Sequence, residues 1–213
     1  LSNMRLCSNV PAQSIVQTAL GGYQSVKNYI VPELSEQQKK FQAEKMISEE
    51  KVEARIKEIA EQINQDFAGE SVTLVCILKG SIFFTTELAK YIKVPVVIDF
   101  MQCSSYGADT KSSGIVKLAK DLDEPITGRH TIIIEDIIDS GRTLSHLVKL
   151  LSQREPASLQ LCTLLDKPDR RVVEVDVKYV GFEIPDKFVV GYGLDYDQKM
   201  RNLPYIGEVV FEQ

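Results

Sequence analysis

The chain has 213 residues, 44% apolar and 26% charged, with 12 glycines and 8 prolines, a composition that excludes wholesale disorder and collagen-like repeats. Its net charge of −5 supplies no electrostatic footprint for sequence-independent nucleic-acid binding, so any anion must be held by local geometry. No apolar run approaches the roughly 18 residues of a membrane-spanning helix, and the four scattered cysteines fit neither a disulfide framework nor a metal clip but a reducing, cytoplasmic setting.

In chain order, the first 32 residues carry no acid and only Arg5 and Lys27 as bases. We expect residues 1–40 to be a poorly ordered extension and 41–213 to be the working domain. From Met46 to Phe67 the apolar residues recur at helical spacing, with Ser48 as N-cap, Glu49 and Glu50 in the first turn, and Gly69 at the far end. Val72 to Leu78 is nearly all apolar and short, which suits a strand buried on both faces of a parallel sheet. Lys79, Gly80 and Ser81 interrupt it before a helix over Ile82 to Lys93.

Strands follow at Pro95 to Met101, Thr131 to Glu135, Leu159 to Leu165 and Lys178 to Phe182, with a helix over Gly141 to Arg154. This alternation predicts an α/β fold, a mostly parallel twisted sheet flanked by helices, with ligands beyond the carboxyl ends of the strands. The small, polar stretch Ser104 to Ser113 is a mobile-loop candidate or a long hairpin connection.

The sharpest segment is TIIIEDIIDSGRTL, from Thr131 to Leu144. The turn Asp139 to Thr143 supplies successive backbone N–H groups at a helix N-terminus, Gly141 permits close approach, and the hydroxyls of Ser140 and Thr143 add donors. Such a turn cradles a phosphate monoester. Glu135, Asp136 and Asp139 would repel one another unless ligand hydroxyls or a cation lay among them. Glu135 and Asp136 leave the strand on opposite faces, suited to ribose hydroxyls and to Mg²⁺.

This segment resembles the phosphoribosyl pyrophosphate signature of type I phosphoribosyltransferases, in the form of the hypoxanthine-guanine branch, and the resemblance runs from about Met46 to Glu208. It implies transfer of a 5-phosphoribosyl group from phosphoribosyl pyrophosphate to hypoxanthine or guanine, giving IMP or GMP plus pyrophosphate with Mg²⁺, in purine salvage. Leu78 to Ser81 looks like the family's pyrophosphate loop, which implies a non-proline cis peptide between Leu78 and Lys79 and backbone donors at Lys79 and Gly80. Ser105 and Tyr106 match its closing loop. Lys167 matches the lysine that donates to the purine 6-oxo group. The run Gly181 to Arg201 is similar to the hood subdomain, where Phe188 would stack on the base, the Val189 backbone would read its edge, Asp195 would ligand Mg²⁺ and Arg201 would touch pyrophosphate.

By the same resemblance Ser140, Gly141, Arg142 and Thr143 hold the phosphate, with Arg142 expected to point away from the cradle. Glu135 and Asp136 serve sugar and metal, and Asp139 takes or shares the purine N7 proton. Asp166, unusual before Lys167, is expected to pair with it and alter purine preference. Homodimers or homotetramers are typical of the family. A regulatory sensor on the same fold would need a nucleic-acid surface, yet residues 1–70 hold 8 basic and 10 acidic residues. A P-loop hydrolase would need GxxxxGK[ST], which is absent. His130 and His146 are read as structural.

Overall fold

The computed structural model describes residues 41–105 and 116–211. Residues 1–40 and most of the Ser104–Ser113 stretch, Tyr106 included, lie outside the described residues. Residues 43–210 form one compact unit; a second grouping, 1–42 with 211–213, is described only at Phe41, Gln42 and Phe211, the ends of two strands.

The elements run β1 (Phe41–Ile47), α1 (Glu49–Asp66), β2 (Val72–Leu78), α2 (Ile82–Tyr91), β3 (Val96–Ser105), β4 (Val116–Lys120), β5 (His130–Ile138), α3 (Arg142–Ser152), β6 (Ser158–Asp166), a 3₁₀ turn (Pro168–Arg170), β7 (Tyr179–Glu183), β8 (Val189–Val190) and β9 (Ile206–Phe211). Six strands form the main sheet in the order β4-β3-β2-β5-β6-β7. β3, β2, β5, β6 and β7 are parallel and β4 is an antiparallel edge, so the expected mostly parallel α/β sheet is what folds. A smaller sheet, β1-β9-β8, stands apart from it in pairing.

Period-two alternation decides which core each strand residue joins. Leu74 of β2, Ile132 and Ile134 of β5, and Leu164 of β6 pack with α1 and α2, whereas Val75 and Ile77, Ile133, and Leu161 pack with α3. Both faces are therefore covered, which is why these strands read as unbroken apolar runs. Helix α1 buries Val52, Ile56, Ile59, Ala60 and Ile63 along one stripe. Its start is fixed by Ser48, whose hydroxyl accepts the Lys51 N–H at 3.4 Å. Met46 and Ile47, which fit the helical spacing, belong instead to β1, because the cap at Ser48 holds an extended backbone that ends the preceding strand.

Several boundaries differ from expectation: the strand expected over Thr131 to Glu135 runs on to Ile138, the one expected over Pro95 to Met101 runs on to Ser105, and the helix expected to reach Arg154 ends at Ser152. Helix α2 ends at Tyr91 rather than Lys93, since Ile92 turns extended ahead of Pro95. The strand expected over Lys178 to Phe182 is β7, so Gly181 and Phe182, which also fall in the run resembling the hood, belong to the main sheet. The small sheet draws its strands from the two ends of the described chain and from Val189–Val190, a grouping that no local pattern announces.

Candidate active site

The parallel pairing of β5 with β6 builds the site. Ile138 stands opposite Asp166, and the Lys167 N–H donates to the Ile138 carbonyl at 3.0 Å, carrying the ladder one residue beyond the strand. Asp139 and Lys167 thus emerge side by side from adjacent strand ends. Beyond Asp139 the chain turns through Ser140 and Gly141 into α3, and an open cavity of about 110 Å³ is lined by Glu135, Ile137, Ile138, Asp139, Ser140, Gly141, Thr143 and Leu144. The first N–H groups of a helix have no partners within it, so α3 presents donors to this cavity.

Gly141 has φ +78°, and a Cβ there would lie 2.2 Å from the Val173 carbonyl oxygen, so only glycine fits this turn. That carbonyl is held close because the Val172 and Val173 N–H groups both donate to the Ser140 carbonyl at 3.0 Å. Arg142, exposed at the first position of α3, does not line the cavity, in line with the expectation that it points away.

The acids are crowded and under-partnered. The Glu135 Oε2 atom is buried with no hydrogen-bond partner among the described residues. Burial, and secondarily the Asp136 charge, pushes its carboxyl well above the ordinary range. Asp136 is pushed up to about 6, chiefly by burial, against the pull of the Ile137 N–H, which donates to it at 2.9 Å. Its carboxylate lies against Gly80, where a Cβ would come within 1.6 Å of Oδ2. Orphaned, proton-hungry carboxyl oxygens suit a divalent cation and sugar hydroxyls. No three His, Cys, Asp or Glu side chains among the described residues converge on one point.

The pyrophosphate-loop candidate has the cis peptide between Leu78 and Lys79 that the resemblance implies. Lys79 Nζ donates to Gln198 Oε1 at 3.4 Å, and the same oxygen accepts from Arg201 Nη2 at 3.3 Å. Arg201 also donates to the Gly193 carbonyl at 2.7 Å and pairs with Asp195 at 2.6 Å. Gly193 packs under the other loop so tightly that a Cβ would lie 1.9 Å from the Gly80 carbonyl oxygen. The structure therefore brings Lys79, Gly80, Asp136, Asp195 and Arg201 into one neighbourhood.

On the other side, Lys167 is 8% exposed, and its ammonium reaches Asp186 at 3.5 Å. Phe188 is half-exposed, edge-on to the Tyr196 ring at 5.6 Å between centroids, and so is not a core aromatic. Val189 is buried in β8. Ser105 ends β3, and no statement about its side chain or about Tyr106 falls within the described residues.

One expectation is corrected. Asp166 does not pair with Lys167; it takes the buried Arg171 guanidinium, and Lys167 goes to Asp186, because successive residues at a strand end point to opposite sides. Sequence reasoning also passed over Arg170, Arg171 and Asp186. Arg170 Nε donates to Asp139 Oδ1 at 3.0 Å, and Arg171 Nη1 donates to the Asp139 carbonyl at 3.1 Å. The one available signal was two consecutive arginines after Lys167–Pro168 in an acidic chain. His130 donates or accepts with Ser158 Oγ at 2.8 Å and packs on the Phe67 ring, as a structural histidine does.

A glycine turn into a helix N-terminus, carboxylates around an open cavity and an α/β sheet beneath them fit a phosphoribosyl-transferring class of enzyme. A family model described as "Phosphoribosyl transferase domain" matches residues 44–197, and the chain belongs to that family. It is 51% identical over 173 residues to the hypoxanthine phosphoribosyltransferase of Salmonella typhimurium, covering 80% of this chain and 97% of the relative. To the hypoxanthine-guanine phosphoribosyltransferase of Mycobacterium avium it is 49% identical over 168 residues, 76% of this chain and 83% of the relative. A crystal structure of a hypoxanthine-guanine phosphoribosyltransferase from Bacillus anthracis matches with a TM-score of 0.75 at 47% identity, covering 80% of this chain and 99% of that one.

Proposed function

We propose that the protein transfers the 5-phosphoribosyl group of phosphoribosyl pyrophosphate to a 6-oxopurine, hypoxanthine or guanine, giving IMP or GMP and pyrophosphate in purine salvage. The observation that carries this reading is the placement of Asp139 and Lys167 on adjacent strand ends, joined by the Lys167-to-Ile138 ladder bond, directly beside the phosphate turn. A proton acceptor and an obligate donor on neighbouring strand ends suit, in chemistry and order, the N7 and 6-oxo edge of a purine whose N9 faces the sugar.

The α3 N-terminus with Ser140, Gly141 and Thr143 holds the 5-phosphate, and Glu135 and Asp136 hold the ribose hydroxyls. Lys79, the Gly80 backbone and Arg201 hold the diphosphate. Asp195 and the Glu135–Asp136 pair, together with the substrate, would hold Mg²⁺, which when bound would neutralise charge on the leaving diphosphate. The bond from sugar carbon 1 to the diphosphate oxygen breaks, the bond from carbon 1 to purine N9 forms, and the N7 proton passes to Asp139. Nearby carboxylates stabilise the positive charge that develops on the sugar ring. Ser105 and Tyr106 close over the diphosphate and exclude water.

Phe188 stacks on the base and the Val189 backbone reads its edge, but stacking tolerates any base, so Lys167 carries the discrimination. Its ammonium only donates, and the 6-amino group of adenine would meet it donor to donor. A homodimer or homotetramer is typical of the family, and a cytoplasmic setting fits Cys76, Cys103 and Cys162, which are free thiols among the described residues.

Incubation with phosphoribosyl pyrophosphate, Mg²⁺ and each of hypoxanthine, guanine, xanthine and adenine tests the reading. Pyrophosphate release is expected with the first two and not with adenine; release with adenine alone, or with none, overturns it. Asp139→Asn is expected to lower turnover by about 10² to 10⁴-fold with little change in the KM for phosphoribosyl pyrophosphate.

A further inference from the structure

Four charged side chains of alternating sign link Asp139, which lines the cavity, to Lys167 on the neighbouring strand end. Asp139 Oδ1 accepts from Arg170 Nε at 3.0 Å, Arg170 Nη1 lies 3.6 Å from Asp186 Oδ2, and Asp186 Oδ1 lies 3.5 Å from Lys167 Nζ. Arg170 and Lys167 are presented by one turn, closed by the Arg170 N–H donating to the Lys167 carbonyl at 3.1 Å. The guanidinium is a rigid planar fork, so a carboxylate held by its Nε and another approached by its Nη1 are kept at a set spacing. Asp139 is engaged through one oxygen, which leaves Oδ2 for a ligand N–H.

Arg170, Asp139 and Asp186 are each about half-exposed, with side-chain exposures of 53%, 48% and 51%. Ion pairs so exposed weigh little in folding stability. What they do set is direction. We propose that Arg170 is a positioning residue of the transfer reaction: it turns one Asp139 oxygen toward the base and, through Asp186, keeps that oxygen in register with Lys167. This rests on the roles given above to Asp139 and Lys167. In the ligand-free site Asp186 occupies the Lys167 ammonium, and the purine 6-oxo group replaces it, leaving Asp186 to Arg170 alone.

The test measures kcat, both KM values and the melting temperature for Arg170→Ala, Arg170→Lys, Asp186→Asn and the Arg170→Ala/Asp186→Asn pair. Misplacing a reacting group by about 1 Å costs up to about 10²-fold, so Arg170→Ala is expected to lower kcat with hypoxanthine by about tenfold. The KM for phosphoribosyl pyrophosphate and the melting temperature stay at parental values, Arg170→Lys recovers most of the loss, and the double variant is no slower than Arg170→Ala because both act along one chain of contacts. An Arg170→Ala kcat equal to the parent's overturns the proposal. So does a loss that Arg170→Lys fails to recover and that comes with a weakened phosphoribosyl pyrophosphate KM, which is the signature of a collapsed loop. If the parent protein itself releases no pyrophosphate, the functional reading falls; if the parent is active and Arg170→Ala matches it, this inference alone falls.

Discussion

The two ends of β5 solve opposite problems. At the amino end, His130 is satisfied by Ser158 and stacked on Phe67, and nearby Asp66 accepts from the Tyr179 hydroxyl at 2.7 Å while pairing with Lys178 at 2.8 Å. At the carboxyl end, five residues on, Glu135 has a buried oxygen with no partner among the described residues and Asp136 is pushed up to about 6. Native proteins seldom leave buried polar atoms unpaired, so the unsatisfied end is the one shaped by something that binds. The satisfied end is shaped by folding alone.

Gly141→Ala strikes the carboxyl end hardest. The new Cβ would collide with the Val173 carbonyl at 2.2 Å in a backbone of φ +78°, so the phosphate turn must move. We expect a stability loss of about 1–3 kcal/mol and near-complete loss of IMP binding by calorimetry. Affinity within threefold of the parent would mean the phosphate sits elsewhere.

A subtler break uses pH. The folded Asp136 carboxyl titrates near 6, above its unfolded value of about 4, so between these values the native state binds more protons than the unfolded one. The Asp136 contribution to the stability of the ligand-free protein, read as the difference between parent and Asp136→Asn, therefore falls as pH rises from about 4 to 6, by on the order of 3 kcal/mol, and stays low above. Asp136→Asn is expected to raise the ligand-free melting temperature at pH 8, to give no gain at pH 4, and to lose activity. A parent-minus-variant difference that climbs with pH through this window would contradict the assignment of burial as the cause.

At the amino end the sign reverses and the size shrinks. Lys178 and then Tyr179 hold the Asp66 carboxyl below its ordinary value, so its contribution is present above the unfolded pKa and is lost as pH falls through the folded one. Asp66 is 37% exposed, and solvent screening limits Asp66→Asn to no more than about 1 kcal/mol at pH 7, with the difference from the parent vanishing in acid. Transfer activity is expected to be unchanged; a drop would show that the amino end is not a purely structural pole.

The sequence made one of these ends far easier to read than the other. The run TIIIEDIIDSG is legible because a two-face-buried strand must be apolar throughout and three acids within five residues need a local reason. The α1 stripe and its Ser48 cap are legible for the same kind of reason, being set by residues three or four apart. By contrast, β1, β8 and β9 are short and mixed in character, and β9, besides taking β8, pairs with a β1 that lies at the opposite end of the described chain. Arg170 meets Asp139 across 31 residues, and nothing in the local pattern of either distinguishes that contact from solvent exposure. Pairing Asp166 with the adjacent Lys167 failed because neighbours in sequence at a strand end are not neighbours in space.

The bond from the Lys167 amide to the Ile138 carbonyl has an evolutionary corollary. It makes the span between the two groups proposed to meet the base a property of the main chain, as fixed as the spacing of rungs, while leaving the chemistry at the Lys167 end to a replaceable side chain. On that reading, exchange at 167 retunes what is recognised without resizing the caliper or removing the Asp139 proton acceptor, so altered base preference lies one substitution away rather than a remodelled fold away.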